Sequence, residues 1–375
     1  MSLKDIYCQD KAIAILQRAL AADRAAYAYI FAGPSGVGKS TTAREWAKLL
    51  LCEKPRRQGS TAKPFVDSCG QCDSCALCEA DSHPDYARVY KELREFTREG
   101  KGKAAPVDLP IDVIREFLID KAAIRPSHSK RKVFVVSEAE RLNAHSQNAL
   151  LKVLEEPPHY CTIILLCTRL ERLLPTTRSR CQIIRFGPVD TERIVADLRA
   201  GGLSNEQAGF FARLAQGSLG LARQWAHLER DGLGLFETKR RLIASLAELT
   251  LSETLTTAER FLEDAKQIAA AWVKLAGNVS KKDINRRAQK TVIQILISAL
   301  RDVLTHHVSP NRAFVNADQR DQIVRLSRRF DAEQAAQGIR DGYEALRWME
   351  ANVNERLIFE RLLFGLTPSA IMVRR

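Results

Sequence analysis

The sequence lacks long apolar runs. Its stretches such as Ile163 to Leu166 fall far short of the ~20 residues that cross a bilayer, which excludes a membrane-spanning helix. The opening Met1-Ser2-Leu3-Lys4-Asp5 has no secretory apolar core, so a cytoplasmic protein with no membrane partner is expected. Glycine (19) and proline (13) are sparse among 375 residues, which excludes collagen-like and Pro/Gly-rich disordered chains. No repeat of fixed period is visible. Acid is short of base: 45 Asp and Glu stand against 58 Lys and Arg, and the formal charge of +13 points to a polyanion nearby. Within that excess, 17 Lys and Arg oppose 11 Asp and Glu between Ala276 and Arg375. What remains, 45% hydrophobic and 27% charged, is a globular composition long enough for two or three domains.

The first 190 residues or so alternate short apolar runs with amphipathic segments, the pattern of an α/β layer structure on a largely parallel sheet. Strands are expected at Ala28–Ala32, Tyr86–Val89, Val133–Val136, Thr162–Cys167 and Gln182–Phe186. A helix is expected over Lys39–Leu51, where Ala43, Trp46, Ala47, Leu50 and Leu51 share one face, and another over Ala144–Glu156, capped by Asn143 and stopped by Pro157-Pro158. Gly187-Pro188 punctuates the chain, and beyond it the strand signals end. The remainder reads as all helical, with breaks near Gly201-Gly202, Gly217, Gly232, Gly277 and Pro310. Three regions are therefore expected, 1–187, 188–245 and 246–375, the second boundary having the weakest support. Gly100–Lys103 reads as a charged mobile loop, and His306-His307 as a solvated helix end.

Gly33-Pro34-Ser35-Gly36-Val37-Gly38-Lys39-Ser40 fits G-x-x-x-x-G-K-[ST] in full, between an apolar run and an amphipathic helix that begins with Lys39, Ser40 and Thr41. Glycines free the backbone N–H groups to wrap phosphates, Lys39 reaches the β/γ-phosphates, and Ser40 would hold Mg²⁺. ATP or ADP is the ligand class this spacing predicts. Hydrolysis also needs a strand-end carboxylate near the metal. Here Val133–Val136 runs into Ser137-Glu138-Ala139-Glu140, so a hydroxyl stands where the Asp would be and Mg²⁺ is weakly provided for. Glu138 is the degenerate catalytic candidate, with a solvated strand-end charge as the competing reading.

Nine cysteines in a reducing compartment read as metal-binding before they read as disulfides. Cys69, Cys72, Cys75 and Cys78 recur at every third position, and Cys52 waits upstream. Four thiolates close a tetrahedral, structural Zn²⁺ site. A ferredoxin-type iron–sulfur run is the competitor, but its last gap is three residues followed by Pro, whereas here it is two followed by Glu79. Cys8, Cys161, Cys167 and Cys181 read as small core residues.

These residues resemble a known family, the AAA+ clamp-loader subunits of bacterial DNA polymerase III. The resemblance is carried by Asn148-Ala-Leu-Leu-Lys-Val-Leu-Glu-Glu-Pro-Pro158 and Ser179-Arg180-Cys181, and less specifically by Gln9, His83-Pro84-Asp85, Ile114-Arg115-Glu116 and Asn352 to Leu357. It implies an AAA+ P-loop domain with a zinc-binding insertion at 52–78, a helical lid and a C-terminal helical collar. It implies work with other clamp-loader subunits of the gamma/tau and delta types, and through them with a sliding clamp and primer–template DNA. Arg180 becomes the candidate trans arginine finger, acting on a neighbour's ATP. The family's zinc ligands correspond to Cys52, Cys69, Cys72 and Cys75, with Cys78 as the alternative fourth ligand. Where the hydrolysing subunit carries Gly-Ser-Leu-Arg, this chain has Gly217-Ser218-Leu219-Gly220. Loss of that arginine and of the Asp at Ser137 implies the non-motor branch, part of the polymerase holoenzyme but not itself a competent ATPase. A hydrolysing motor subunit is the alternative, favoured by the intact loop. A zinc-dependent nucleic-acid reader fits poorly, since no aromatic residues interleave the cysteines.

Overall fold

A computed structural model describes residues 2–58, 65–100, 106–275, 280–351 and 353–367. The expected loop at Gly100–Lys103, apart from Gly100, the break at Gly277 and the motif residue Asn352 lie outside the described residues. The chain divides into two compact units. One is Met1–Asp190 with Ser218–Gly220, the other Thr191–Gly217 with Leu221–Arg375.

In the first unit, α1 (Asp10–Ala21) precedes β1 (Ala28–Ala32), α2 (Lys39–Leu51), a small hairpin of β2 (Arg56–Gln58) and β3 (Phe65–Asp67), α3 (Asp73–Glu79) and β4 (Tyr86–Val89). There follow α4 (Ile111–Ile114) and α5 (Asp120–Ala122) joined by a π-type turn, β5 (Lys132–Val136), α6 (Ala144–Glu155), β6 (Cys161–Cys167), α7 (Pro175–Ser179) and β7 (Gln182–Arg185). Five strands form one sheet in the order β4-β5-β6-β1-β7, and every pairing in it is parallel. Central strands of a parallel sheet are covered on both faces, which is why β1, β5 and β6 are continuously apolar and buried throughout. Alternate residues face opposite ways, so Tyr29 and Phe31 join Trp46 in one core layer while Ile30 joins Phe134 and Leu150 in the other. All five expected strands form, within a residue at their ends. Asn143 caps α6, its side chain accepting from the Ser146 N–H at 2.8 Å. The hairpin was not expected: its strands are three residues each, and β2 is exposed, so neither carries a periodic signal.

The second unit is helical, as expected. It holds α8 (Thr191–Ala200), α9 (Asn205–Leu214), α10 (Leu219–Leu228, from Leu221 on), α11 (Leu235–Glu248), α12 (Thr254–Leu275), α13 (Lys281–Val308), α14 (Arg320–Arg329), α15 (Ala332–Glu350) and α16 (Glu355–Gly365). The α13 face at Ile293, Leu296, Ile297 and Leu300 is buried, as its spacing predicts. His306 departs from expectation: it is half-buried beside the Phe314 ring, because the loop after α13 folds back over that helix end.

Candidate functional site

The phosphate loop joins β1 to α2. At Gly33 a Cβ would lie 2.4 Å from the Phe186 carbonyl oxygen, so only glycine lets the loop leave the sheet here. Gly36 and Gly38 have positive φ, Val37 is buried, Thr41 is half-buried, and Pro34, Ser35 and Ser40 are exposed at the loop's rim. Lys39 opens α2 and is buried. Its ammonium donates to the Gly33 carbonyl at 2.7 Å and to the Pro34 carbonyl. Burial holds its pKa below the usual lysine value, against the opposing field of Glu140. Buried Gln9 fastens the loop from behind, its amide donating to the Val37 and Gly187 carbonyls at 3.1 and 2.9 Å. The loop is thus a firm cradle whose lysine is satisfied only by carbonyls, ready for exchange with phosphate oxygens.

At the end of β5 the candidate residues engage different partners. Ser137 takes the strand-end position, its N–H bonded to Val89. Glu138 is exposed, in left-handed backbone conformation, and pairs with Arg141 at 3.2 Å. Glu140 instead is the acid whose charge reaches Lys39, and it binds the Thr168 hydroxyl and N–H at the end of β6. Ser218–Gly220 clusters with this same unit: the Gly220 N–H donates to the Gly36 carbonyl at 2.8 Å, and a Cβ at 220 would lie 3.0 Å from the Gly36 Cα.

Arg180 follows α7. Its guanidinium donates to the Thr176 carbonyl at 2.9 Å and pairs with Glu155, at the end of α6, at 2.7 Å, leaving other N–H donors at a partly exposed surface. The segment leading to it is held from the other end of α6 by Gln147, which sequence reasoning missed. Buried Gln147 donates to the Leu142 and Arg172 carbonyls and accepts from the Leu174 N–H at 2.7 Å and the Thr177 hydroxyl. Nothing in the order of residues distinguishes this glutamine from a surface one; only the fold closes the loop onto it.

The Sγ atoms of Cys52, Cys69, Cys72 and Cys75 lie within 4.8 Å of one another. Cys52 to Cys72 and Cys69 to Cys75 are each 3.9 Å. A tetrahedron with Zn–S bonds of ~2.3 Å has edges of about 3.8 Å, so the donor set fits a four-thiolate metal ion. Backbone amides already point at the sulfurs: the Cys69 N–H at Cys52, and the Gln71 and Cys72 N–H groups at Cys69. Burial raises the Cys69 thiol pKa, but those two amides together with hydrogen bonds from the Cys72 and Cys52 thiols outweigh it and bring it to about 6. Cys78 stands apart, buried in the core beneath α2, its thiol pushed by burial to about 12. One α3 turn separates the two fates: Cys75 faces the sulfur cluster and Cys78 faces the core. The metal, when bound, would fix the insertion covalently to the end of α2.

Comparison with known proteins gives two family matches, one described as DNA polymerase III, delta subunit, over residues 8–190, and one as DNA polymerase III, delta subunit, C terminal, over residues 258–367. A DNA polymerase III subunit delta' of Pseudomonas aeruginosa is 37% identical over 156 residues, 42% of each chain. The tau subunit of Escherichia coli is 31% identical over 223 residues, 57% of this chain and 31% of that one. The matched region thus spans less than half the length of these relatives. A gamma subunit-related protein of Thermotoga maritima superposes with a TM-score of 0.46 at 17% identity, over 95% of this chain and 98% of that one. From the two family matches and the sequence relatives together, the chain belongs to the clamp-loader subunit family of DNA polymerase III.

Proposed function

We propose that the chain is a non-motor, delta-prime-type subunit of the clamp loader, a cytoplasmic protein that completes a neighbouring subunit's ATP site and supports loading of the sliding clamp onto primed DNA. In this reading 1–187 is the AAA+ domain, 188–245 the lid and 246–375 the collar that assembles with gamma/tau- and delta-type subunits. The carrying observation is the asymmetry between two charges. The chain's own cradle lacks a strand-end carboxylate at Ser137, while Arg180 offers a guanidinium at the surface of the same unit. Arg180 does pair with an acid, Glu155, but an ion pair this exposed is worth only about 0–1 kcal/mol, so phosphate oxygens can displace it. A planar, permanently charged fork suits that exchange.

Zn²⁺ in the Cys52, Cys69, Cys72 and Cys75 site is structural in this reading, bracing the insertion between α2 and β4. ATP or ADP can occupy the cradle of Gly33 to Thr41 through Lys39 and the backbone N–H groups from Ser35 onward, without rapid turnover. The test is Arg180→Ala in the reconstituted complex. Turnover at the site it completes should fall by about 10³-fold, the scale of an arginine finger, with nucleotide binding by the isolated chain unchanged. Unaltered turnover in the complex would remove the finger role.

A motor subunit is the second reading, favoured by the complete cradle with buried Lys39. It predicts ATP turnover by the isolated chain at roughly 1 s⁻¹ or faster, an ordinary enzyme rate.

A further inference from the structure

His83 is buried, and both of its ring nitrogens are engaged. Nδ1 accepts from the Asp85 N–H at 3.0 Å, which requires that nitrogen to be bare and places the proton on Nε2. Nε2 lies 3.2 Å from the Ser129 hydroxyl and 3.3 Å from the Ser74 hydroxyl, and those two hydroxyls are 3.2 Å apart. The Ser129 hydroxyl in turn donates to the Leu51 carbonyl at 3.2 Å. One assignment satisfies all of them: Nε2–H toward the hydroxyls, Ser74 O–H to Ser129, and Ser129 O–H to Leu51. Asp85, also buried, completes the frame by accepting from the N–H groups of Ser127, His128 and Ser129 at 2.7–2.8 Å, which fixes the loop that presents Ser129.

The two ends of this network sit beside two of the four sulfurs. Leu51 closes α2 immediately before Cys52, and Ser74 lies in the first turn of α3 immediately before Cys75. The Cys52 and Cys75 sulfurs come from different elements, so their separation, one of those the tetrahedron requires, depends on how the end of α2 is held against the start of α3. We propose that His83, through Ser129 and Ser74, is the positioning residue of the cysteine cluster, setting the distance between the end of α2 and the start of α3 so that the thiolates meet a metal ion without rearrangement. This rests on the metal reading above. Groups that orient metal ligands from outside the coordination sphere commonly change affinity by ~10–100-fold when removed.

The amide side chains separate this role from mere packing. Glutamine at 83 places a donor N–H near the Nε2 position and keeps the bridge to the hydroxyls. Asparagine keeps an acceptor near Nδ1 and loses the bridge. Zinc(II) affinity is measured on the full chain by competition with a chromophoric chelator, alongside thermal melting. Wild type and His83→Gln should agree within about threefold, while His83→Asn and His83→Ala bind about 10-fold or more weakly and release zinc faster. Leu150→Ala, in the core layer on the other sheet face, should lower the melting temperature without changing zinc affinity. Equal affinity across the His83 series, or a loss in His83→Asn matched by Leu150→Ala, overturns the role of His83 alone. If His83→Ala does not fold, the Gln and Asn variants still decide. A wild-type chain that takes up no zinc overturns the metal reading, and this role falls with it.

Discussion

At the scale of single residues, the chemistry that matters is set by what each polar group is allowed to touch. Asp85 keeps its charge although buried. Burial pushes its pKa up, but the backbone N–H groups of Ser129, Ser127 and His128 outweigh that and hold it below the usual 3.8. A carboxyl with depressed folded pKa stabilises the fold fully above its unfolded value, and that contribution is lost as pH falls through the folded value. Asp85→Asn should therefore cost about 2–3 kcal/mol at pH 7, and the gap to wild type should close in melts taken progressively below pH 3.8. Gly33 is constrained sterically instead: Gly33→Ala drives a Cβ into the Phe186 carbonyl, so the loop must shift. Its expected outcome is weakened binding of a fluorescent ATP analogue by an order of magnitude or more, in a chain that still folds.

At the scale of elements, α6 acts as a splint for the segment that carries Arg180. Its two contacts, Gln147 and Glu155, are eight residues apart, or about 12 Å along a helix rising 1.5 Å per residue. Gln147 is the stronger hold because it is buried and leaves backbone groups of 172–174 without partners when removed. Gln147→Ala should cost about 2–3 kcal/mol and speed hydrogen exchange at the Leu174 amide, whereas Glu155→Ala should change stability by under about 1 kcal/mol. Equal effects of the two would mean that burial is not what separates them. The helix itself was legible from its Asn143 cap, apolar face and Pro157-Pro158 stop. Its partner segment was not, because residues 172–177 cross only short helical turns with no period, and the bonds that tie them to α6 come from Gln147, some 25 or more positions away in the chain.

At the scale of the whole molecule, the expected second and third regions, 188–245 and 246–375, fall almost wholly within one compact unit. The physical link is polar as well as apolar. Fully buried Lys239 on α11 donates to Asp318, just before α14, and lies over the Phe210 and Phe236 rings at 4.6 and 4.7 Å. Removing one partner of a buried pair strands the other's charge, so Asp318→Asn should cost about 3–5 kcal/mol, while the double variant Lys239→Met, Asp318→Leu should recover most of that loss. Chemical denaturation followed at both α11 and α14 should then show one shared transition. Two separated transitions would mean that the regions unfold independently.

What the sequence determined by itself was whatever is encoded in short spans. Gly33 to Ser40 specified the cradle because every group that wraps a phosphate is contiguous, and the β-strands were legible because burial on both faces leaves unbroken apolar runs. Spacing also narrowed the metal ligands to five cysteines. Only the tertiary structure decided which way each side of the α3 turn faces, so that Cys52, Cys69, Cys72 and Cys75 meet while Cys78 enters the core. Only it joined His83, Ser74, Ser129 and Leu51, or Gln147 to the segment before Arg180, because hydrogen bonds between residues nine to 78 positions apart leave no local pattern in the chain.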